Sequence, residues 1–530
     1  MRAISRKRAP RRTATVVEKT YPAPVGGWNA RDSVAAMGAA DAVTLENWFP
    51  RPTAVEMRGG CWEHMRIVGT PIKTLAVYHQ LDGDETMFAF SSTGIYDASF
   101  GGNSFQPEGI LTARTNGKHQ HVQFGDGTTN WLIAVNGVDK PWYWNGTGFV
   151  VVDAVSSPAL TGVTSTDIVS VEVFKNRLLF IRNNKLGFDY LPAGVAGGAV
   201  SHFDLSSFAS KGGYLMAIAT WSRDAGDGPD DFAVFLTSQG QALVYQGTDP
   251  SNANAWSLVG TFQISKPLGR RCVLKYGADP IILTEEGAFP LSALLASGDE
   301  RDRFAVSFKI QGAFSTAARS YGEVFGWKAI SFYEQNALII NVPKAEDGAH
   351  EQYVMNTLSK AWCKFTRWHA EDFAVFNKNL YFCRGGRIYH AWTDTGDYVT
   401  AADPENGEAI TYVAQQAYMD FGTSSLKKPQ MLMPVMQLSR NVAFETGIDT
   451  DFTERTQTGT TTVSPSGQGQ WGVSKWGSGR WASATSIQRA WGGTASWPGR
   501  WISGKLRMMS NAVSGKWIGN VMRFDVGDGL

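Results

Sequence analysis

The chain has 530 residues, of which 43% are hydrophobic, and its 49 Lys and Arg almost balance its 48 Asp and Glu, for a formal net charge of +1. That content is sufficient for a packed core, and the near-zero charge argues against a polyelectrolyte that binds nucleic acid over its whole surface. The 57 glycines and 12% aromatic residues suit many tight turns between short aromatic strands.

The N-terminal residues 1–20 are basic and polar, and we predict a flexible tail. Within residues 2–12 there is no acidic residue. Such a run is either solvated or an arm that docks on an acidic partner surface or a phosphate backbone. The candidate docking residues are Arg2, Arg6, Lys7, Arg8, Arg11 and Arg12. The segment lacks the apolar run of a signal peptide, and no stretch approaches the ~20 apolar residues of a membrane span, so we expect a soluble protein made in the cytoplasm.

Residues 21–60 are predicted to form an extended arm. Pro50 and Pro52 flank Arg51, and a central strand excludes such a pair of prolines.

Between residues 61 and 405 one phrase recurs, a Gly or Asn turn followed by a short apolar and aromatic strand. Its aromatic markers are Tyr96, Trp144, Tyr190, Tyr245, Phe289, Tyr353 and Tyr389. A period of roughly 40–50 residues is typical of a β-propeller with one four-stranded sheet per period. We therefore predict an all-β fold with a β-propeller of about 6–7 blades; a β protein with irregular hairpins is the alternative. The step to Tyr353 is long, which indicates that Tyr353 is off register or that an insertion follows Leu291.

Residues 406–530 are predicted to form a separate C-terminal β-domain rich in tryptophan. Its closely spaced tryptophans are either core residues or interface anchors, since Trp is favoured at interface hot spots. The candidate interface aromatics are Trp471, Trp476, Trp481, Trp491, Trp497 and Trp501; Trp517 belongs to the same run.

The chain contains none of the phosphate-loop, nucleophile-elbow or zinc-helix motifs. His119 and His121 are predicted to be a polar surface pair more readily than a metal site. The acidic loop Asp224–Asp231 is either solvated or a calcium loop, and its start resembles a sialidase Asp box, but Pro229 stands where that box needs Trp. The four cysteines, Cys61, Cys272, Cys363 and Cys383, lack CxxC spacing and are expected to be buried thiols in a reducing compartment. We expect no cofactor, no metal and no enzyme activity.

Several phrases resemble structural proteins of short-tailed bacteriophages. They include the arm from Pro22 to Asp32, the run Asn47-Trp48-Phe49-Pro50 and Arg58-Gly59-Gly60. Further along, the segments 244–250, 259–262 and 267–269 resemble the same proteins, and the similarity extends from about residue 21 to the C-terminus.

The resemblance implies a tail nozzle of the tubular protein B class, with a β-propeller and added β-domains and without catalytic residues. Such a protein is expected in the virion tail after assembly in the host cytoplasm. The implied partners are five other copies in a homohexameric ring, a head-to-tail adaptor ring, tail fibres or tip proteins, and double-stranded DNA that passes without sequence specificity during genome retention and ejection. The alternatives are a receptor-binding or glycan-processing tail protein and a cellular propeller scaffold, although WD and kelch signatures are missing.

Overall fold

The protein is described here from a computed structural model. It describes residues 15–67, 70–101, 111–112, 114–224, 229–295, 301–346, 348–393, 395–400, 407–440, 442–454, 459–462, 486–493 and 497–527. The chain forms two compact units. We call Gly59–Lys360 with Lys364–Glu408 the propeller unit, and Met1–Arg58 with Ala361–Cys363 and Ala409–Leu530 the β-domain unit.

Five strands precede the propeller. They are β1 (Thr15–Pro22), β2 (Gly27–Trp28), β3 (Asp41–Glu46), β4 (Trp48–Pro50) and β5 (Val55–Met57).

In its described residues the propeller unit is built from seven groups of consecutive antiparallel strands, which we number as blades in chain order. Strand β6 (Cys61–Arg66) precedes the first blade, and the strands of blade 6 belong to a larger, ten-stranded sheet. The first four blades each have four strands. Blade 1 consists of β7 (Ile72–His79), β8 (Glu85–Ser91), β9 (Gly94–Asp97) and β10 (Leu111–Thr112), and blade 2 of β11 (Gln120–Gly125), β12 (Asn130–Val135), β13 (Trp142–Trp144) and β14 (Phe149–Val151). Blade 3 consists of β16 (Ile168–Phe174), β17 (Arg177–Arg182), β18 (Gly187–Tyr190) and β20 (Ser201–Asp204); the short strands β15 (Leu160–Thr161) and β19 (Gly198–Ala199) pair with each other outside it. Blade 4 consists of β21 (Leu215–Asp224), β22 (Pro229–Thr237), β23 (Gln241–Gly247) and β24 (Trp256–Gln263).

Two α-helices separate blades 5 and 6. Blade 5 has β25 (Val273–Leu274), β26 (Ile281–Thr284) and β27 (Gly287–Pro290), and it is followed by α1 (Leu291–Leu294) and α2 (Gln311–Tyr321). Blade 6 has β28 (Lys328–Phe332), β29 (Ala337–Pro343) and β30 (His350–Asn356), and β31 (Trp362–Phe365) follows it in the chain. Blade 7 has β32 (Asp372–Phe376), β33 (Asn379–Arg384) and β34 (Arg387–Ala391). Single 3-10 turns lie at Ser165–Asp167, Arg301–Phe304, Phe308–Ile310 and Tyr333–Gln335.

The blades close into a ring. The first strand of each blade contacts the first strand of the next, and β32 of blade 7 contacts β7 of blade 1. Blade 7 takes its fourth strand from the beginning of the unit, since β6 pairs antiparallel with β34 from Ala391↔Cys61 to Arg387↔Arg66. Hydrophobic clusters fill the spaces between neighbouring blades, for example Phe188, Phe235 and Tyr245 between blades 3 and 4. The predicted all-β propeller is therefore confirmed.

Each of the seven sequence markers lies on the third strand of its blade, and Tyr353 on β30 is in register with the others. The long step before Tyr353 comes from an insertion that contains α1 and α2. The structure thus decides in favour of the second of the two explanations.

The C-terminal strands of the β-domain unit are β35 (Ile410–Gln416), β36 (Lys427–Leu438), β37 (Ala443–Thr450), β38 (Gly459–Thr462), β39 (Ser486–Arg489), β40 (Gly492–Gly493), β41 (Ile502–Ser510) and β42 (Gly515–Val526). One sheet has the order β39-β36-β42-β5-β4, and β1 also pairs with β42. Another set pairs β3 with β35, β35 with β41, and β41 with β37. A core that includes Tyr21, Leu432 and Phe524 supports these strands.

The N-terminal boundaries differ from the prediction. Residues 15–20, predicted to be part of a flexible tail, lie in β1, which pairs with β42 from Thr15↔Val526 to Pro22↔Gly519. The predicted arm 21–60 shares the β-domain unit with the C-terminal strands down to Arg58. A strand whose partner lies some five hundred positions away has no local signal, because its main-chain hydrogen bonds depend on the tertiary fold.

Among the described residues, no helix has the length and apolar character needed to cross a membrane.

Candidate functional site

A buried carboxylate, Asp372, lies near the ring axis. It is at the end of the ring where the first strands of the blades, which we call the inner strands, begin. Its side chain has no exposed surface, and Oδ1 accepts a hydrogen bond from Lys328 Nζ at 2.7 Å. The backbone N–H of Leu75 donates to Oδ2 at 2.9 Å, so blades 6, 7 and 1 meet at this carboxylate. Such pairing is what a fully buried charge requires.

Arg271 extends this network across the ring. It precedes blade 5, yet its guanidinium lies 3.4 Å from Asp372 Oδ2, donates to Thr74 Oγ1 at 2.7 Å and donates to the carbonyl oxygen of His119 at 2.9 Å. It also lies over the Phe325 ring, 4.6 Å from the centroid. These contacts join non-adjacent blades, so the side chain occupies the axis of the propeller at this level.

The electrostatics keep Asp372 ionised. Burial by itself raises the pKa of the carboxyl group, but Lys328 and Arg271, together with the hydrogen bonds, overcome it and lower the pKa below its usual value. A carboxylate that stays ionised pairs with the cations around it and so holds them in place, whereas a general acid needs a raised pKa.

The two histidines of the same region are not the surface pair that the sequence predicts. His119 is buried, with its ring 5.0 Å from Phe90 and 6.0 Å from Trp142 between centroids. Burial lowers the pKa of His119 to about 4, and burial with the charge of Lys328 lowers that of His121 to about 3. Both rings are therefore neutral at physiological pH. His119 differs from the prediction because it precedes β11 and packs against the stacked rings of Phe90 and Trp142.

A cavity of about 440 Å³ opens beside Arg271 in the propeller unit. Four cationic side chains and two carboxylates line it: Lys118, Lys266, Arg270, Arg271, Glu285 and Glu323. Arg270 donates to the carbonyl oxygens of Leu215 and Met216 at 3.2 and 3.3 Å. The cations nearest the axis thus serve as cross-links between blades.

Within the described part of the chain, no group of three or more His, Cys, Asp or Glu residues is arranged to hold a metal ion. Residues 225–228 of the acidic loop lie outside the described residues. All four cysteines are buried and free, as expected, and burial raises the pKa of Cys272 to about 12.

The predicted docking residues Arg2, Arg6, Lys7, Arg8, Arg11 and Arg12 lie outside the described residues, as do Trp471, Trp476 and Trp481.

The remaining tryptophans of the C-terminal run occupy different environments. Trp491 is half-buried, and the Trp497 side chain is 67% exposed. Trp501 is half-buried and lies 5.9 Å from Phe452 between ring centroids, whereas Trp517 is fully buried. The run therefore combines core and surface residues, and sequence spacing does not distinguish them.

The residues that carry the phage resemblance have structural roles in the β-domain unit. Buried Arg58 donates from Nε to Asn47 Oδ1 at 2.8 Å, and Asn47 Nδ2 donates to the carbonyl oxygen of Thr411 at 2.7 Å. The Trp48 ring packs against the Trp517 ring at 5.7 Å. The phrases Asn47-Trp48 and Arg58 thus connect an N-terminal segment to the C-terminal strands.

A glycine in the same phrases has a comparable role in the propeller unit. Gly247 has φ +134°, and a Cβ there would lie 1.9 Å from the carbonyl oxygen of Ala255. Close approach of the two strands therefore requires glycine at this position.

Sequence reasoning missed the network of Asp372, Lys328 and Arg271. The three residues are far apart in the chain, and each resembles an ordinary surface charge. Their position in the repeat could have indicated that they lie close together. Asp372 and Lys328 are the first residues of inner strands, and Arg271 lies two residues before the inner strand of blade 5.

Comparison with known proteins adds no family. No family model and no curated protein matches the chain. Among solved structures, BBS1N in complex with ARL6DN is 9% identical, covers 64% of this chain and 99% of its own, and has a TM-score of 0.40. YCF48 bound to D1 peptide is 10% identical over 63% of this chain and 95% of its own, with a TM-score of 0.36.

A third match is a glycoside hydrolase family 43 arabinoxylan arabinofuranohydrolase from Bacillus subtilis in complex with cellotetraose. It is 9% identical over 87% of this chain and 95% of its own, with a TM-score of 0.26. The expectation that the chain is not an enzyme is corrected here, because an enzyme is among the proteins that it resembles in structure. At these scores the likeness assigns no reaction, and the fold supports no exclusion of one.

Proposed function

We propose that this chain is a structural protein of the virion tail of a short-tailed bacteriophage, a nozzle subunit of the tubular protein B class. The observation that carries the proposal is where the family-like phrases lie. Asn47, Trp48 and Arg58 form the buried cross-links of the β-domain unit, and Gly247 permits a close strand contact in blade 4. The resemblance therefore concerns residues that build the two units.

In this proposal the functional assembly is a homohexameric ring, and double-stranded DNA passes through the lumen between subunits. The Arg271 network supports this choice of path, because the guanidinium occupies the axis of the propeller. A near-zero net charge also suits a passage in which DNA must slide during ejection.

The proposed neighbours are a head-to-tail adaptor ring above the hexamer and fibres or tip proteins around it. The cations between Arg2 and Arg12 would dock on the acidic face of the adaptor ring. If deletion of residues 2–12 leaves adaptor binding normal at both low and high salt, this docking role is wrong.

The assembly is tested by light scattering and negative-stain imaging of the purified full chain over a range of protein concentrations, alone and with an adaptor ring. We expect a ring of six-fold symmetry. A chain that stays monomeric under all these conditions and binds or shortens bacterial polysaccharide would overturn the nozzle and favour the receptor-binding or glycan-processing alternative.

A further inference from the structure

A second and larger cavity, of about 880 Å³, lies at blade 7 of the propeller unit. We call it the arginine pocket. Three arginines and one carboxylate line it, namely Arg66, Arg384, Arg387 and Glu371. The loops that form it precede inner strands or join second and third strands, so the pocket opens on the same end of the ring as the Asp372 network.

One buried acid holds two of these arginines in place. Glu63 is only 4% exposed at its side chain, and it receives Arg66 at 3.0 Å and Arg387 at 2.7 Å. Both arginine side chains nevertheless remain 47% and 40% exposed. One buried carboxylate therefore orients two guanidinium groups whose outer N–H donors face solvent.

The single carboxylate of the lining is already engaged. Glu371 forms an ion pair with Lys73, and its Oε1 accepts a hydrogen bond from the backbone N–H of Gly385 at 3.3 Å. It therefore does little to neutralise the three arginines, and the pocket keeps an excess of positive charge.

A strained loop forms the rim. His369, which lines the pocket, has φ +48°, and Arg367 has φ +75°, both unusual for residues other than glycine. The Tyr398 hydroxyl holds this loop by donating to the carbonyl oxygen of Trp368 at 3.1 Å. The guanidinium of Arg384 lies over the same Tyr398 ring, 4.4 Å from the centroid, so the third arginine is also positioned.

We propose that the arginine pocket binds an acidic peptide segment of a partner protein. Guanidinium groups bind carboxylates through two parallel hydrogen bonds, and three oriented guanidinium groups suit several carboxylates in one extended segment. The cavity has the size of a site for a ligand larger than a single phosphate ion. A nucleic acid backbone would instead need an extended basic surface, whereas the three arginines line one cavity. The proposal does not depend on the nozzle function.

The probe is fluorescein-labelled hexaglutamate, and the readout is fluorescence anisotropy with the full chain in about 50 mM salt, where screening is weak. We expect saturable binding that weakens as salt rises. Arg384→Gln should reduce the affinity by about tenfold, which corresponds to about 1.4 kcal/mol. Arg66→Lys keeps the charge but loses the fork, and should also weaken binding.

The matched control is Arg319→Gln, which removes an exposed arginine from α2 of the same unit. It should bind hexaglutamate like the unchanged chain, and melting curves show whether each variant is folded. Should Arg384→Gln fail to fold, Arg66→Lys decides. Absence of saturable binding, equal loss in Arg319→Gln, or unchanged affinity in both pocket variants overturns the proposal. Displacement by inorganic phosphate or by hexathymidylate at lower concentrations than unlabelled hexaglutamate would also overturn it.

Discussion

At the scale of single residues, stability depends on a few polar side chains near the ring axis. Asp372 of blade 7 accepts hydrogen bonds from Lys328 in blade 6 and from the backbone N–H of Leu75 in blade 1. Arg271 reaches the same carboxylate from the loop before blade 5. Removing one member of a buried ion pair leaves its partners charged and desolvated. The resulting loss of folding stability is larger than the net stabilisation that the intact pair provides. These residues are consequently where single substitutions should have their largest effects.

Asp372→Asn should lower the free energy of unfolding by about 3 kcal/mol, because Lys328 and Arg271 would lose their shared anion. Denaturant titration of the full chain measures this loss. The control is Asp153→Asn, since the Asp153 side chain is 28% exposed, in contrast to the fully buried Asp372, and pairs with a half-exposed Lys140. Equal stability of the two variants would show that the Asp372 network does not stabilise the ring.

His119 should make the protein sensitive to mild acid. Its folded pKa of about 4 lies below the ordinary value of 6.5, so between these two values the unfolded chain binds a proton that the folded chain does not. Stability should therefore fall as the pH drops from about 6.5 to about 4. Denaturant titrations at several pH values measure this slope.

His119→Phe keeps an aromatic ring against Phe90 and Trp142 and should reduce the slope, with His121 responsible for part of the remainder. A slope that stays unchanged in the variant would mean that His119 does not set the acid sensitivity.

At the scale of elements, the closing strand β6 joins the beginning of the propeller unit to its last blade. The phrase Arg58-Gly59-Gly60 leads directly into it. A Cβ at Gly60 would lie 1.8 Å from the carbonyl oxygen of Gly396, the atom that also accepts a hydrogen bond from the N–H of Cys61 at 3.1 Å. The backbone around Gly396 must therefore move if residue 60 has a side chain.

Gly60→Ala should destabilise the protein by roughly 2 kcal/mol, within the range of overpacked sites. Thermal melting measures the change. Gly148→Ala is the matched control, because a Cβ at Gly148 meets open space. If both substitutions lower the melting temperature equally, the close contact at Gly396 is not what limits residue 60.

The helices α1 and α2 show how an insertion can enter a repeat without disturbing it. They lie between β27 and β28, and blade 6 resumes with its aromatic marker Tyr353 on the third strand. The ring tolerates the added residues because they extend a connection between blades and leave the strand pairing unchanged.

At the scale of the whole molecule, the propeller unit contains all the strands that close its ring. A fragment of residues 59–408 includes β6 and should unfold in one cooperative thermal transition. A fragment of residues 68–408 lacks β6, so blade 7 would lose its fourth strand and the ring its closure. We expect the shorter fragment to melt at a markedly lower temperature or to aggregate.

Calorimetry of the two fragments measures the difference. Identical transitions would mean that the pairing of β6 with β34 is dispensable. A fragment 59–408 without any transition would mean that the propeller unit needs the rest of the chain in order to fold.

The recurring turn-and-aromatic phrase was sufficient to predict the propeller, but it bounded the number of blades only at about 6–7. Each aromatic marker lies on the third strand of a blade, and that position repeats with the fold. At the two ends of the series, Tyr96 is partly buried against the hydrophobic cluster shared by blades 7 and 1, and Tyr389 is buried in blade 7. The phrases that resemble phage proteins include residues with a structural role, since Asn47 and Arg58 are joined by a buried hydrogen bond.

What local sequence could not reveal were the pairings between distant segments. Thr15–Pro22 has mostly exposed side chains and becomes a strand only because β42 offers it a partner. Asp372, Lys328 and Arg271 become one network, and Arg66, Arg384 and Arg387 one pocket, only when blades from both ends of the unit meet. The repeating strand units were thus readable from the amino-acid sequence, because their pattern of apolar and turn residues is local. Which charges converge depends on the folded ring, because ring closure brings together residues hundreds of positions apart.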